Sequence, residues 1–174
     1  MFSFFRKGNR GEVPSEGKGK SSPVPNECEA PLMPFGPPAN ELELALLAKY
    51  EKRIGIVEFL NVLLKSRVHV VTREDQLDVV EGGFKFKPSP YLFTQVLRGQ
   101  HHIGVFTHEA RGGIVPKLNP EFECAIPVPF RDLFVFFERN EIGVILNPYW
   151  ENNMSWDSAQ LQEIRQSIRM RGSE

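Results

Sequence analysis

The sequence predicts an α+β fold: a single domain with a mixed β-sheet of about five strands packed with three to four helices. Three observations lead there. Helix-period and strand-period segments follow one another as helix, helix, strand, several strands, helix, strand, helix, with no repeating βαβ unit. The runs RVHVV (67–71) and IGVILN (142–147) are apolar on both faces, as interior strands are. PFRDLFVFFERN places Phe130, Leu133, Phe134 and Phe137 at i, i+3, i+4 and i+7, one helical stripe. The chain has 174 residues, 41% hydrophobic and 25% charged, which is enough for one core of this kind.

The elements follow in order. Asn40 suits an N-cap, and Glu43 stands three residues later, the spacing of a capping box. Behind it, ELELALLAKYEKR is rich in helix formers. A second helix is expected over 54–65, with Val57, Leu60, Leu63 and Leu64 on one face. Strand 67–71 comes next. Gly82-Gly83, Pro88 and Pro90 divide the middle into short strands at FKF and YLFTQV, and HIGVFTH (102–108) reads as another. In FECAIPV (122–128), Phe122, Cys124, Ile126 and Val128 share a face. Pro127 puts the end of that strand at an edge or a terminus. Pro129 suits the first position of the Phe-striped helix, and Arg139 and Asn140 its end. After strand 142–147, Pro148 stops the ladder because it has no N–H to donate. Asp157 and Gln160 form a second capping box, for a last helix carrying Leu161, Ile164 and Ile168 on one side. Trp156 before the cap and Leu161 within the helix match a hydrophobic staple.

Residues 1–38 differ in composition. They hold seven of the 14 prolines, at 14, 23, 25, 31, 34, 37 and 38, among Gly, Ser and Lys. Such a segment buries too little apolar surface to offset its ordering entropy. The expectation is a disordered Pro/Gly/Lys-rich extension over 1–38 and a folded domain over 39–174.

Charge and cysteine content narrow the function. The 21 basic and 22 acidic residues give a net charge of −1, so no field draws a polyanion and a nucleic-acid partner is disfavoured. Cys28 and Cys124 belong to no Cys-x-x-Cys pair, a pattern that suits a reducing compartment. No apolar run reaches the roughly 18–20 residues that span a bilayer. The start MFSFFRK lacks the apolar stretch of a signal peptide. Its Phe2, Phe4 and Phe5 beside Arg6 and Lys7 would suit contact with an anionic membrane surface; an ordinary flexible terminus is the alternative.

No catalytic residue, metal or cofactor is expected. Of the four histidines, His102 and His108 share strand parity, near Glu109 and Cys124. Strand positions six apart stand roughly 20 Å from each other, too far for one ion. There is no Gly-x-Ser-x-Gly elbow, and Cys124 reads as a small core residue. The pairs Gly82-Gly83 and Gly112-Gly113 lead into no phosphate-loop lysine and read as turns. Arg111, Arg165, Arg169 and Arg171 appear scattered, the last three complementing the end of the final helix. Tyr149, Trp150, Glu151, Asn152 and Asn153 form an unusual loop. Its two aromatics are typical interface anchors, and its two Asn make an adaptable polar rim. Packing of the rings near Ile164 is the competing explanation. Glu151 lacks a second acid or base, so a structural role, accepting backbone N–H groups, is favoured.

GVILNPYWENNMSWDSAQLQEI resembles, without a gap, the end of the N-terminal domain of the enhanced serine sensitivity (SseB) family. Leu146, Asn147, Pro148 and Glu151 match its motif, Trp156 stands at its aromatic position and Asp157 at its cap. NELELAL resembles the opening helix, SRVHVV the first strand after helix two, HIGVFTH a strand that commonly carries Phe-Thr-Ser, and PFRDLF the helix before the last strand. The resemblance covers residues 40–170. It implies a bacterial cytoplasmic α+β domain without an established enzymatic activity. The chain departs from the pattern where Tyr149 and Trp150 replace a pair of small residues, in its N-terminal extension, and in lacking the second domain of longer members. The expected function is a non-enzymatic protein-interaction module that binds an unidentified protein through residues 149–153, with Asn147, Pro148, Trp156 and Asp157 as structural motif residues. The alternatives are a small hydrolase or transferase with a site around Glu151, and a membrane-surface-tethered adaptor using the N-terminal tip.

Overall fold

A computed structural model describes residues 32–81 and 83–171. Helices α1 (Glu41–Tyr50) and α2 (Ile56–Lys65) lead into β1 (Arg67–Thr72). A 3-10 turn at Glu74–Gln76 precedes a hairpin of β2 (Leu77–Val80) and β3 (Gly83–Phe86). Then come β4 (Thr94–Leu97), β5 (Gln100–Phe106) and two single-turn helices, α3 (Glu109–Gly112) and α4 (Val115–Leu118). β6 (Cys124–Pro129), α5 (Phe130–Asn140), β7 (Gly143–Leu146), β8 (Met154–Trp156) and α6 (Ser158–Arg171) complete the order.

The architecture is α+β, as the sequence predicts. The main sheet runs β6-β1-β5-β7-β8, with β4 pairing the other half of the β5 edge that β1 uses. It is mixed: β5 and β7 are parallel, and the other pairs antiparallel. β1, β5 and β7 are interior; β7 is buried along its whole length and β5 from His102 onward. β6 lies at an edge, where Pro127 and Pro129 are tolerated.

Alternation along the strands feeds two cores. Val68, Val70, Ile103, Val105, Val144 and Leu146 face the four long helices. There they meet Leu42 and Leu46 of α1, Phe59 and Leu63 of α2, the α5 stripe, and Leu161 of α6. Phe130, Leu133, Phe134 and Phe137 are all buried, and Phe130 and Phe134 pack edge to face at 5.4 Å. On the opposite face, Val71 and Phe106 pack with Phe93, Val115 and Phe122 in a smaller cluster.

Several boundaries move. Composition places residues 32–38 in the disordered extension, yet Phe35 is 4% exposed and Met33 bridges to Trp150. An aromatic ring buried against the domain offsets the ordering cost that composition alone suggests. On α2 the buried pair is Phe59 and Leu63, and Val57 in the first turn is exposed. Residues 154–156 form β8, because Val144 and Trp156 pair across the antiparallel ladder. Pro129 is the N-cap of α5 and the last residue of β6. Phe122 precedes β6 and joins the smaller core, apart from Ile126 and Val128. Gly112 lies inside α3, close above Val71 and Phe106, and Gly113 caps it. The hairpin β2–β3 stands outside the main sheet. Expectations placed on residues 1–31, including Cys28 and the Phe/Arg/Lys tip, lie outside the described residues.

Candidate functional site

The site forms where the start of α1, the end of β5, helix α3 and the turn after β7 meet. Asn40 caps α1 with its Oδ1, which accepts the Glu43 N–H at 2.9 Å. Its Nδ2 donates to the Thr107 carbonyl at 2.8 Å, tying the cap to the end of β5. Glu43 departs from the usual capping box. Its Oε2 accepts the Ala39 N–H at 2.7 Å, and the rest of the carboxylate turns inward, fully buried.

Arg111 answers that buried charge. Its Nε donates to Glu43 Oε1 and its Nη2 to Oε2, each at 2.9 Å, a bidentate fork. The Thr107 hydroxyl donates to Oε1 at 2.6 Å. Burial alone would push the Glu43 carboxyl up. The bonds from Arg111, Thr107 and Ala39 outweigh burial and hold it below the ordinary carboxylate range. With two donors on each oxygen, the carboxylate is saturated, so it serves as an anchor and not as a proton acceptor.

The guanidinium also faces outward. Nη1 donates to the Phe35 carbonyl and Nη2 to the Pro37 carbonyl at 3.1 Å. The cation lies 4.2 Å from the Phe35 ring centre and 4.7 Å from that of Trp150. Trp150 Nε1 donates to the Arg111 carbonyl at 3.1 Å, and its ring meets Phe35 edge-on at 6.4 Å.

The turn after β7 carries the expected loop. Asn147 is fully buried with φ of 51°, a conformation Asn tolerates better than most residues. Its Oδ1 accepts the Thr107 N–H at 2.9 Å, and its Nδ2 has no partner among the described residues. Trp150 N–H donates to the Asn147 carbonyl at 3.2 Å, closing a turn with Pro148 second and Tyr149 third. Tyr149 has φ of 73° at the position that favours glycine. Its ring, 6.1 Å from Phe93, joins the smaller core, and its carbonyl accepts the Met33 N–H at 2.8 Å.

The five loop residues thus have distinct surroundings. Tyr149 and Trp150 are half-buried and occupied by internal contacts. Glu151 is exposed, and its backbone N–H donates to the Met33 carbonyl at 3.0 Å. Asn152 is half-buried. Asn153 Nδ2 donates to the Trp150 carbonyl at 2.7 Å, and its own carbonyl accepts the Tyr50 hydroxyl. Pro148 packs near Gly104, where a Cβ would come within 2.6 Å of the Phe93 ring. Trp156 and Asp157 belong elsewhere. Trp156 pairs with Val144, and Asp157 exchanges cap bonds of 2.8 and 3.0 Å with Gln160.

Nothing in the sequence marks Thr107, Met33 or Phe35 for this site, and Glu43 and Arg111 stand out there only as a cap residue and one of several cations. One signal was available: Glu43 lies three residues before Leu46 and beside Leu42, on the buried stripe of α1. A carboxylate placed there demands a cation, and Arg111 is four residues after Thr107 in the same strand-to-helix passage.

Among the described residues, no group of three or more His, Cys, Asp or Glu is placed to hold a metal ion. His102 is buried on β5 above Gly143, while His108 caps α3 by accepting the Ala110 N–H. Burial, with Glu123 and Glu74 nearby, pushes the Cys124 thiol up, away from a reactive thiolate. An open cleft of about 360 Å³ lies over Val71 and Ala125, with Glu109 and Glu123 on its walls. No protein-family model matches the chain, and no curated protein or solved structure matches it.

Proposed function

We propose that this protein is a non-enzymatic interaction module of the SseB N-terminal type, acting in a bacterial cytoplasm and binding a protein partner along residues 149–153. One observation carries the reading: this loop already holds a peptide backbone that belongs to none of its strands. The Tyr149 carbonyl and the Glu151 N–H both bond to Met33, in an isolated parallel bridge. A main-chain donor and acceptor beside a half-buried Trp are the elements of extended-peptide recognition. The saturated state of Glu43 supports a binding role over a catalytic one. Among the described residues, no helix is long and apolar enough to cross a membrane.

The test is affinity capture from the native cytoplasm with wild-type protein, Glu151→Lys and a control, Lys117→Glu, an exposed residue of α4. The expected result is loss of the partner with Glu151→Lys alone, at unchanged thermal stability. A partner held equally by wild type and Glu151→Lys overturns the reading.

A further inference from the structure

Residues 33–37 (MPFGP) are attached to the domain as a docked ligand is. Met33 contributes one N–H and one carbonyl to the loop, at 2.8 and 3.0 Å. Phe35 supplies a single buried ring, which lies between Arg111 and Trp150 and joins the edge of the larger core. The Phe35 and Pro37 carbonyls take the two outward edges of the Arg111 guanidinium. Gly36, with φ of 69°, makes the bend between them. Apart from the Phe35 ring and the Arg111 cation over it, these are main-chain bonds, the way linear peptides bind.

The receiving side is also held by contacts outside this segment. Glu43 fixes Arg111, the Arg111 carbonyl fixes the Trp150 indole, and Asn147 and Asn153 fix the turn. Removing residues 33–37 would leave two guanidinium edges, the Tyr149 carbonyl, the Glu151 N–H and an aromatic slot, all preorganised. Pro34, Pro37 and Pro38 restrict the free segment to extended conformations, which lowers the entropy lost on docking.

We propose, building on the reading of 149–153 as a binding surface, that residues 33–37 are an in-chain competitor for a peptide site. The external ligand is a proline-rich segment with the same layout, an aromatic anchor preceded by Pro and followed by Gly-Pro, running parallel to residues 149–151. A tethered competitor acts at an effective concentration in the millimolar range. A site closed 99% of the time weakens an external ligand about 100-fold.

The test uses full-length protein and a labelled peptide of residues 32–39 (LMPFGPPA), followed by fluorescence anisotropy. Met33→Pro removes the N–H that bonds Tyr149 and leaves the core untouched; Phe35→Ala removes the anchor. Both variants are expected to bind the peptide at least about tenfold more tightly than wild type, and adding Trp150→Ala to Met33→Pro abolishes binding. Folded Met33→Pro and Phe35→Ala chains that bind no better than wild type overturn the inference. So does binding indifferent to Trp150→Ala, or unfolding of both variants, which would make the segment part of the core. If no peptide binds while Glu151→Lys still loses the captured partner, the loop remains the binding surface and only the competitor is removed.

Discussion

Arg111 grips the buried Glu43 carboxylate through two parallel N–H bonds of 2.9 Å, and the same guanidinium reaches out to the carbonyls of Phe35 and Pro37. One side chain thus joins the core to the surface where the peptide segment lies. Arg111 is itself only 11% exposed, so water does little to screen the pair.

Arg111→Ala leaves Glu43 buried without its cation. The expected cost is about 3–5 kcal/mol in urea unfolding at neutral pH. Replacing both partners, Glu43→Leu with Arg111→Met, is expected to cost less than Arg111→Ala alone, because no uncompensated charge remains. A double variant as unstable as the sum of its single variants would show that the two side chains act separately.

Acid weakens the same pair. The folded pKa of Glu43 is lowered, so the unfolded chain binds the proton more readily and stability rises with pH across the interval between the two values. The contribution is complete above the unfolded carboxyl value of about 4.3 and is lost as pH falls through the lower folded value. Thermal melts of wild type and Glu43→Gln are expected to differ by a constant amount above roughly pH 5 and to draw together progressively as pH falls further. A difference that persists unchanged to pH 3 would contradict this origin.

The cap of α6 separates hydrogen bonding from charge. Asp157 Oδ1 accepts the Gln160 N–H at 2.8 Å. Asp157→Ala is expected to cost about 0.5–2 kcal/mol in chemical denaturation, and Asp157→Asn much less, since an amide oxygen accepts the same bond. Equal losses would point to a contact outside the cap.

What the sequence reveals here depends on how local the cause is. The α5 stripe and the Asp157–Gln160 box are written within one helical turn or two, and both are legible. So is the edge position of β6, because Pro127 lacks a donor. The site depends on distant pairings. Glu43 and Arg111 are 68 residues apart, and Thr107 and Asn147 are 40 apart. Local spacing shows Glu43 only as a cap residue and Arg111 only as one of several cations. Phe35 is hidden for a related reason: proline-rich composition argues for disorder, and one buried ring reverses the outcome for its neighbours. The 149–153 loop stands out by composition, but its internal contacts with Met33, Phe35 and Phe93 follow only from the fold.

If residues 33–37 leave the 149–153 loop while the domain stays folded, native-state hydrogen exchange registers it directly. The Met33 and Glu151 amides bond across the groove, whereas the Thr107 and Asn147 amides bond within the core, to Asn147 Oδ1 and the Val105 carbonyl. Local opening exposes the first pair without the second. The Met33 and Glu151 amides are expected to exchange at least about tenfold faster than those of Thr107 and Asn147, by a route insensitive to low denaturant. Exchange of all four at one common rate, rising together with denaturant, would contradict it.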